Sequence, residues 1–146
     1  MIILDTNVLS ALMQQQPDPW VVAWLDTQSA ESIWLNSITL FEARYGLALL
    51  PTGRRKDLLQ ARFEELVQVD LENRVLLFDT QAATEAAQLA ADRRNRGRPV
   101  DMRDTFIAGI AIARKATLAT RNIRHFEDLS VPVINPWLDN LSPSNG

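Results

Sequence analysis

Ile2-Ile3-Leu4-Asp5-Thr6-Asn7-Val8-Leu9 opens the chain with three apolar residues, an acid, and two polar residues that lead into a second apolar stretch. Ile2 to Leu4 read as a short strand buried on both faces, because their polarity does not alternate. Thr6-Asn7 then offer a cap for a helix over Val8 to Met13. A short apolar strand passing straight into a helix is how a parallel sheet covered on both faces begins. Asp5 falls at the carboxyl end of that strand, the end beyond which such sheets bind ligands.

The alternation continues outward. Pro17 to Pro19 breaks the first helix, and Pro19 stands at the first position of a second, with Val21, Val22, Trp24 and Leu25 as its apolar side. Ile33 to Leu35 is the second strand, followed by Ser37 and Thr39 as helix starters. The helix from about Thr39 to Leu49 is apolar nearly all round and is expected to be buried. After the turn Pro51-Thr52-Gly53 come an amphipathic helix over Arg54 to Val69, a third strand over Val75 to Phe78, and an Ala-rich helix over Thr80 to Arg96. A helix from near Asp101 to Lys115, a fourth strand over Thr117 to Ala119 and a fifth over Val131 to Ile134 complete the pattern. The expectation is a three-layer α/β domain, 1–139, with a central parallel sheet of four to five strands and helices on both faces. The stretch 140–146 reads as a loosely ordered tail.

At 146 residues, one domain buries about two thirds of the surface its unfolded chain exposes. No Cys and a single His, His125, exclude thiolate and imidazole zinc sites, Cys nucleophiles and iron–sulfur clusters. Any bound metal must accept oxygen. The N-terminus lacks a basic leader and carries Asp5 in its apolar stretch, which argues against a signal peptide, and no run is long enough to span a membrane. A cytoplasmic location is expected.

Net charge is −3, but it is unevenly spread: Arg93 to Arg124 carries nine basic residues against two acids, a local balance of +7. This segment could offer phosphates a basic rim around an acidic site. Equally, Arg93 to Arg98 could simply close a helix, with Gly97 and Pro99 as its stop.

Glu42 and Asp104, like Asp5, interrupt apolar sequence. An ionised carboxylate in or beside a core costs roughly several kcal/mol unless paired. Each acid has a local reading. Thr39-Leu40-Phe41-Glu42 fits a capping box, Asp101 reads as a helix cap with Asp104 at the third helical position, and Asp5 could cap the first helix. Their joint occurrence at one expected rim favours a shared site. Three converging carboxylates repel one another and call for a cation, and Mg²⁺ or Mn²⁺ accepts oxygen ligands. Such an ion activates water against a phosphodiester without a protein nucleophile. His125, on a short polar turn, reads as a surface or capping residue dispensable to that chemistry, although it lies three residues from Asn122.

Taken together, Ile3-Leu4-Asp5-Thr6-Asn7-Val8-Leu9, Ser37-Ile38-Thr39-Leu40-Phe41-Glu42-Ala43-Arg44-Tyr45-Gly46, Asp104 to Ala111 and Leu118-Ala119-Thr120-Arg121-Asn122 resemble the motifs of PIN-domain ribonuclease toxins of the VapC type, FitB-like branch. Asn135-Pro136-Trp137 also looks FitB-like. The resemblance implies that Asp5, Glu42 and Asp104 are metal-binding carboxylates. Asn122 would take a fourth site position that carries an acid or Asn in the family, which implies a single ion at rest. Thr6 and Thr120 would position water or ligands, each with a competing reading as a cap or strand-end hydroxyl. Arg121 would face substrate, and Arg44 would pair with Glu42 or face phosphate. Also implied are an RNA substrate, a homodimer, and a cognate antitoxin with a ribbon-helix-helix DNA-binding segment.

Two other classes bear on the reading. A catalytically silent PIN-like module in a DNA-binding regulatory complex would have no need to keep three acids together. A haloacid-dehalogenase-like phosphotransferase needs a second acid two residues after the first, where this chain has Asn7.

Overall fold

The computed structural model describes residues 1–139; the tail expected over 140–146 lies outside them. Five strands, β1 (Ile2–Leu4), β2 (Ile33–Asn36), β3 (Val75–Leu76), β4 (Thr117–Ala119) and β5 (Val133–Ile134), form one parallel sheet in the order β3-β2-β1-β4-β5. Ile3 pairs with Trp34 on one side and Leu118 on the other, so β1 is central.

Alternation along β1 sends Leu4 and Ile3 into different layers. Leu4 joins Val8, Val21, Trp24, Leu35 and Phe63, beneath α1 (Thr6–Met13), α2 (Pro19–Asp26), α3 (Ser37–Leu49) and α4 (Arg54–Glu65). Ile3 joins Leu89, Ile107, Ile110, Leu118 and Phe126, beneath α5 (Thr80–Asn95) and α6 (Met102–Arg114). Both faces are therefore dry, which is why β1 shows no polar alternation. A last turn, α7 (Pro136–Asp139), packs on α2. No described helix is long and apolar enough to cross a membrane.

Several local expectations change. Asp5, not Thr6-Asn7, caps α1, its carboxylate accepting from the Thr6 amide. Asn36 caps α3 by accepting from the Thr39 amide, so Thr39 is not a cap and the Thr39–Glu42 capping box does not form. Nor is α3 buried all round: Phe41, Tyr45 and Leu49 are exposed, with Phe41 stacked on Tyr45. α3 meets the layer beneath α1 and α4 through Leu47 and its neighbours Leu40 and Ala43, and its first turn meets the other layer through Ile38. α4 ends at Glu65 and gives way to a π-helical turn over Leu66–Asp70. β3 ends at Leu76, and the Phe78 amide donates to Ser37 Oγ instead of extending the ladder.

The chain steps outward from β1 through β2 to β3, then returns to place β4 on the opposite side of β1. The carboxyl ends of β1 and β4 therefore part company at a topological switch point, which opens a crevice there.

Candidate active site at the switch point

Asp5 leaves the end of β1 with 3% of its surface exposed. Its Oδ1 accepts from the Thr6 amide at 2.7 Å, and its Oδ2 accepts from Thr120 Oγ1 at 2.7 Å and Asn7 Nδ2 at 3.2 Å. Thr120 is fully buried at the end of β4, so one carboxylate ties the two diverging strands together. Asn7 reinforces the tie, its Oδ1 accepting from the Arg121 amide at 3.0 Å.

Glu42 arrives from the second turn of α3. Its Oε1 accepts from Thr6 Oγ1 at 2.7 Å, and its Oε2 lies 3.4 Å from Arg103 Nη1. Behind Thr6 stands a relay that sequence reading did not find. The Thr6 and Thr39 hydroxyls are 3.2 Å apart, and fully buried Asn36 donates to Thr39 Oγ1 and to the Leu4 carbonyl. The signal for it was the position of Asn36, a polar residue directly after an apolar strand.

Asp104 sits in the first turn of α6, which Asp101 caps as expected. Its Oδ2 lies 2.7 Å from Nδ1 of His125, on the 3₁₀ turn Ile123–Phe126. Asn122 starts that turn, its amide donating to Thr120 Oγ1 and its carbonyl accepting from the His125 amide. Adjacency to Asn122 was the signal for His125, which belongs to the site's rim instead of being a detached surface residue.

Asp104 and Glu42 lie near enough to Asp5 for their charges to be felt there. Burial pushes the Asp5 carboxyl above its ordinary value; the Thr120 and Thr6 hydrogen bonds work against this, and the charges of Asp104 and Glu42 add to the rise. Among the described residues, no three Asp, Glu or His side chains are grouped so as to hold a metal ion. The acids instead share an electrostatic neighbourhood in which each oxygen set is oriented by a neutral donor or a nearby cation.

Of the expected basic contacts, Arg44 turns away from Glu42 and pairs with Glu64, its guanidinium 5.1 Å from the Phe63 ring centre. One turn along α3, where Glu42 lies, the helix faces the crevice; two residues further, Arg44 faces α4. Arg103 takes the place beside Glu42. Arg121 stays at the rim, exposed and 4.6 Å from the Trp137 ring centre, while Trp137 Nε1 donates to Asp18. Arg93, counted as part of a basic rim, is buried beneath the loop and bound to Asp128, so it offers nothing to phosphate. From the same edge an open groove of about 1160 Å³ runs past Thr6 and Glu42 between α1, α3 and α4, lined by Met13, Leu47, Leu50 and Leu59.

The PIN domain family model matches residues 2–131. A VapC ribonuclease of Sinorhizobium fredii is 42% identical over 94% of this chain and 98% of its own length. Toxin FitB of Neisseria gonorrhoeae is 39% identical over 95% of this chain and 100% of its own length. The crystal structure of FitAcB from Neisseria gonorrhoeae superposes with a TM-score of 0.85 at 39% identity, covering 94% of this chain and 99% of that one. A parallel sheet with acids at its switch point, a family match over nearly the whole chain and two full-length relatives agree: this chain belongs to the PIN domain family.

Proposed function

We propose that this protein is the toxin of a toxin–antitoxin pair, an endoribonuclease that hydrolyses RNA phosphodiesters with Mg²⁺ or Mn²⁺ held by Asp5, Glu42 and Asp104. The observation that carries this reading is Asp5: a nearly buried carboxylate whose proton affinity is raised by burial and by two further acids is a group that a cation relieves. The donor set is oxygen throughout and suits a hard divalent ion. When bound, the ion would acidify a water for attack on phosphorus and offset charge on the phosphoryl oxygens.

The chain's own residues supply the rest. The Thr6 amide, Thr120 and Asn7 hold the Asp5 carboxylate in one orientation, and Thr6, backed by Thr39 and Asn36, holds Glu42. Asn122, beside Thr120, offers an amide oxygen at the fourth position without adding charge, consistent with one resting ion. Arg121 presents a cation to the RNA backbone, its flank covered by Trp137. Single-stranded or loop RNA suits an open crevice of this kind.

The partners follow from the same reading. Solved structures similar to this chain include FitAB bound to a DNA fragment and DNA-bound VapBC from Salmonella typhimurium. The groove beside Glu42 suits a segment of an antitoxin whose other part is a ribbon-helix-helix DNA-binding element. The exposed pair Phe41 and Tyr45 on α3 suits a homodimer contact, and the cytoplasm is the compartment where RNA and antitoxin are both met.

The test is growth after induced expression, with and without the adjacent small open reading frame, comparing the native chain with Asp5→Asn. Growth arrest by the native chain, relieved by the neighbour and absent in Asp5→Asn, is expected, together with Mn²⁺-dependent RNA cleavage by the purified protein. Neither arrest nor cleavage by the native chain would transfer the protein to the silent regulatory class, and equal toxicity and cleavage by the two chains would remove Asp5 from the active site.

A further inference from the structure

We infer that His125 is a positioning residue for Asp104, and that the buried Arg93 is the strut that holds it there. Among the described residues, the contact with His125 Nδ1 is the one side-chain hydrogen bond that Asp104 makes. Opposite an ionised carboxylate, Nδ1 must carry the hydrogen, which fixes the ring's tautomer when it is neutral. A donor on one carboxylate oxygen sets the angle of the group and leaves the other oxygen free for an outer ligand, as partners behind metal-binding residues do. This inference rests on the reading that Asp104 is one of the ion-holding acids.

The two partners come from separate elements, the 3₁₀ turn after β4 and the first turn of α6, so their contact needs something to hold those elements in register. Arg93 does so from the last turn of α5, with 2% of its surface exposed. Its Nη2 donates to the His125 carbonyl at 2.7 Å, and its Nη1 donates to Thr105 Oγ1 at 3.0 Å, one residue along from Asp104. Asp128 grips the guanidinium from the far side, accepting from Nε and Nη2 at 2.9 Å each, and Arg96 adds a second cation to Asp128. One planar guanidinium therefore touches the backbone of His125 and the neighbour of Asp104 at once. Lys, with a single point of charge, could not span both. A surface ion pair needs no such foundation. The exposed end of this buried assembly is the imidazole laid against Asp104.

The test is Mn²⁺ binding by titration calorimetry on the full chain, with thermal midpoints measured alongside. His125→Ala should weaken Mn²⁺ about tenfold or more while leaving the midpoint unchanged. His125→Asn, which keeps a donor near the place of Nδ1, should recover most of the loss. Asp128→Asn, which touches neither the acids nor the imidazole ring, should also weaken Mn²⁺ when measured below its own transition. Native affinity in His125→Ala, or equal losses in the Ala and Asn variants, would overturn the role of His125; native affinity in Asp128→Asn would overturn that of Arg93. Should the native chain take up no Mn²⁺, the metal reading above is what fails, and the ring's ¹⁵N shifts then decide the pairing. They should show Nδ1 protonated in the native chain and revert to the free-imidazole pattern in Asp104→Ala, and shifts indifferent to that change would refute the inference.

Discussion

Gly109→Ala should destabilise the protein, although alanine is the better helix former. Gly109 lies in the interior of α6, where exchanging Gly for Ala ordinarily gains up to about 1 kcal/mol. Here a Cβ would stand 2.6 Å from the Ala82 carbonyl oxygen, 2.7 Å from Ala86 Cβ and 3.0 Å from the Ala86 nitrogen. Two of these three atoms are α5 backbone, which no rotamer change can move. The helices must separate, and overpacking of that kind costs about 1 to 3 kcal/mol, more where the backbone itself must shift. With the propensity gain set against it, a net loss of about 1 to 2 kcal/mol is expected, or a fall in thermal midpoint of roughly 3 to 8 °C for a chain of this size. Separation of α5 from α6 also disturbs the seat of Arg93 against Thr105, so the site should loosen with the fold. Urea denaturation followed by circular dichroism measures the loss as a drop in midpoint at constant slope. Gly46→Ala is the internal comparison: Gly46 is also mid-helix, is exposed, and has nothing within 4 Å of its would-be Cβ. It should gain about 0.5 to 1 kcal/mol. A Gly109→Ala chain as stable as the native one would refute the close approach of α5 and α6.

In metal-free buffer, stability should fall as pH rises from the ordinary carboxylate range through the raised Asp5 value, because protonation of Asp5 removes a penalty that its ionised form suffers only in the fold. Urea midpoints of Asp5→Asn against pH should lack that decline, and a parallel profile would count against the buried, crowded placement of Asp5. Asp128 behaves oppositely: the Arg93 hydrogen bond, first among its causes, holds its carboxyl below the ordinary value, so its contribution is complete above about pH 4 and is lost as pH falls below that. Asp128→Asn should cost roughly 2 to 4 kcal/mol near neutrality, the lower part of the range reflecting partial exposure of Asp128, and a cost under half a kcal/mol in urea titrations would show that Arg93 does not depend on it. Arg121→Ala should weaken binding of single-stranded RNA more at low salt than at high, lowering the slope of log affinity against log salt by about 0.7. An unaltered slope in filter binding would take Arg121 off the RNA path.

Short-range physics explains what could be read from the chain directly. Apolar runs three or four residues long, each followed by a helix starter, fit a parallel sheet buried on both faces, and that reading puts Asp5, Glu42 and Asp104 at one expected rim. Asp101 as a cap and Pro19 as a helix opener are equally local, since each depends on one side chain meeting a neighbouring amide or filling a position without one. The α3 helix misled for the same reason. Its composition suggested burial, but composition does not say which side of a helix has a partner, and Phe41 and Tyr45 proved to face outward.

Sequence by itself determined the alternation of strands and helices, the oxygen-only chemistry available to a chain with no Cys and one His, and the identity of the acids at the sheet's edge. Only the tertiary structure decided what each acid touches. Thr6 reaches across to Glu42, Thr120 closes on Asp5 from 115 residues away, Arg44 leaves for Glu64, and Arg93 goes under the loop to hold His125 beside Asp104. Such pairings depend on distances between elements that are remote along the chain, set by how helices pack on the sheet, and no spacing within the sequence encodes them.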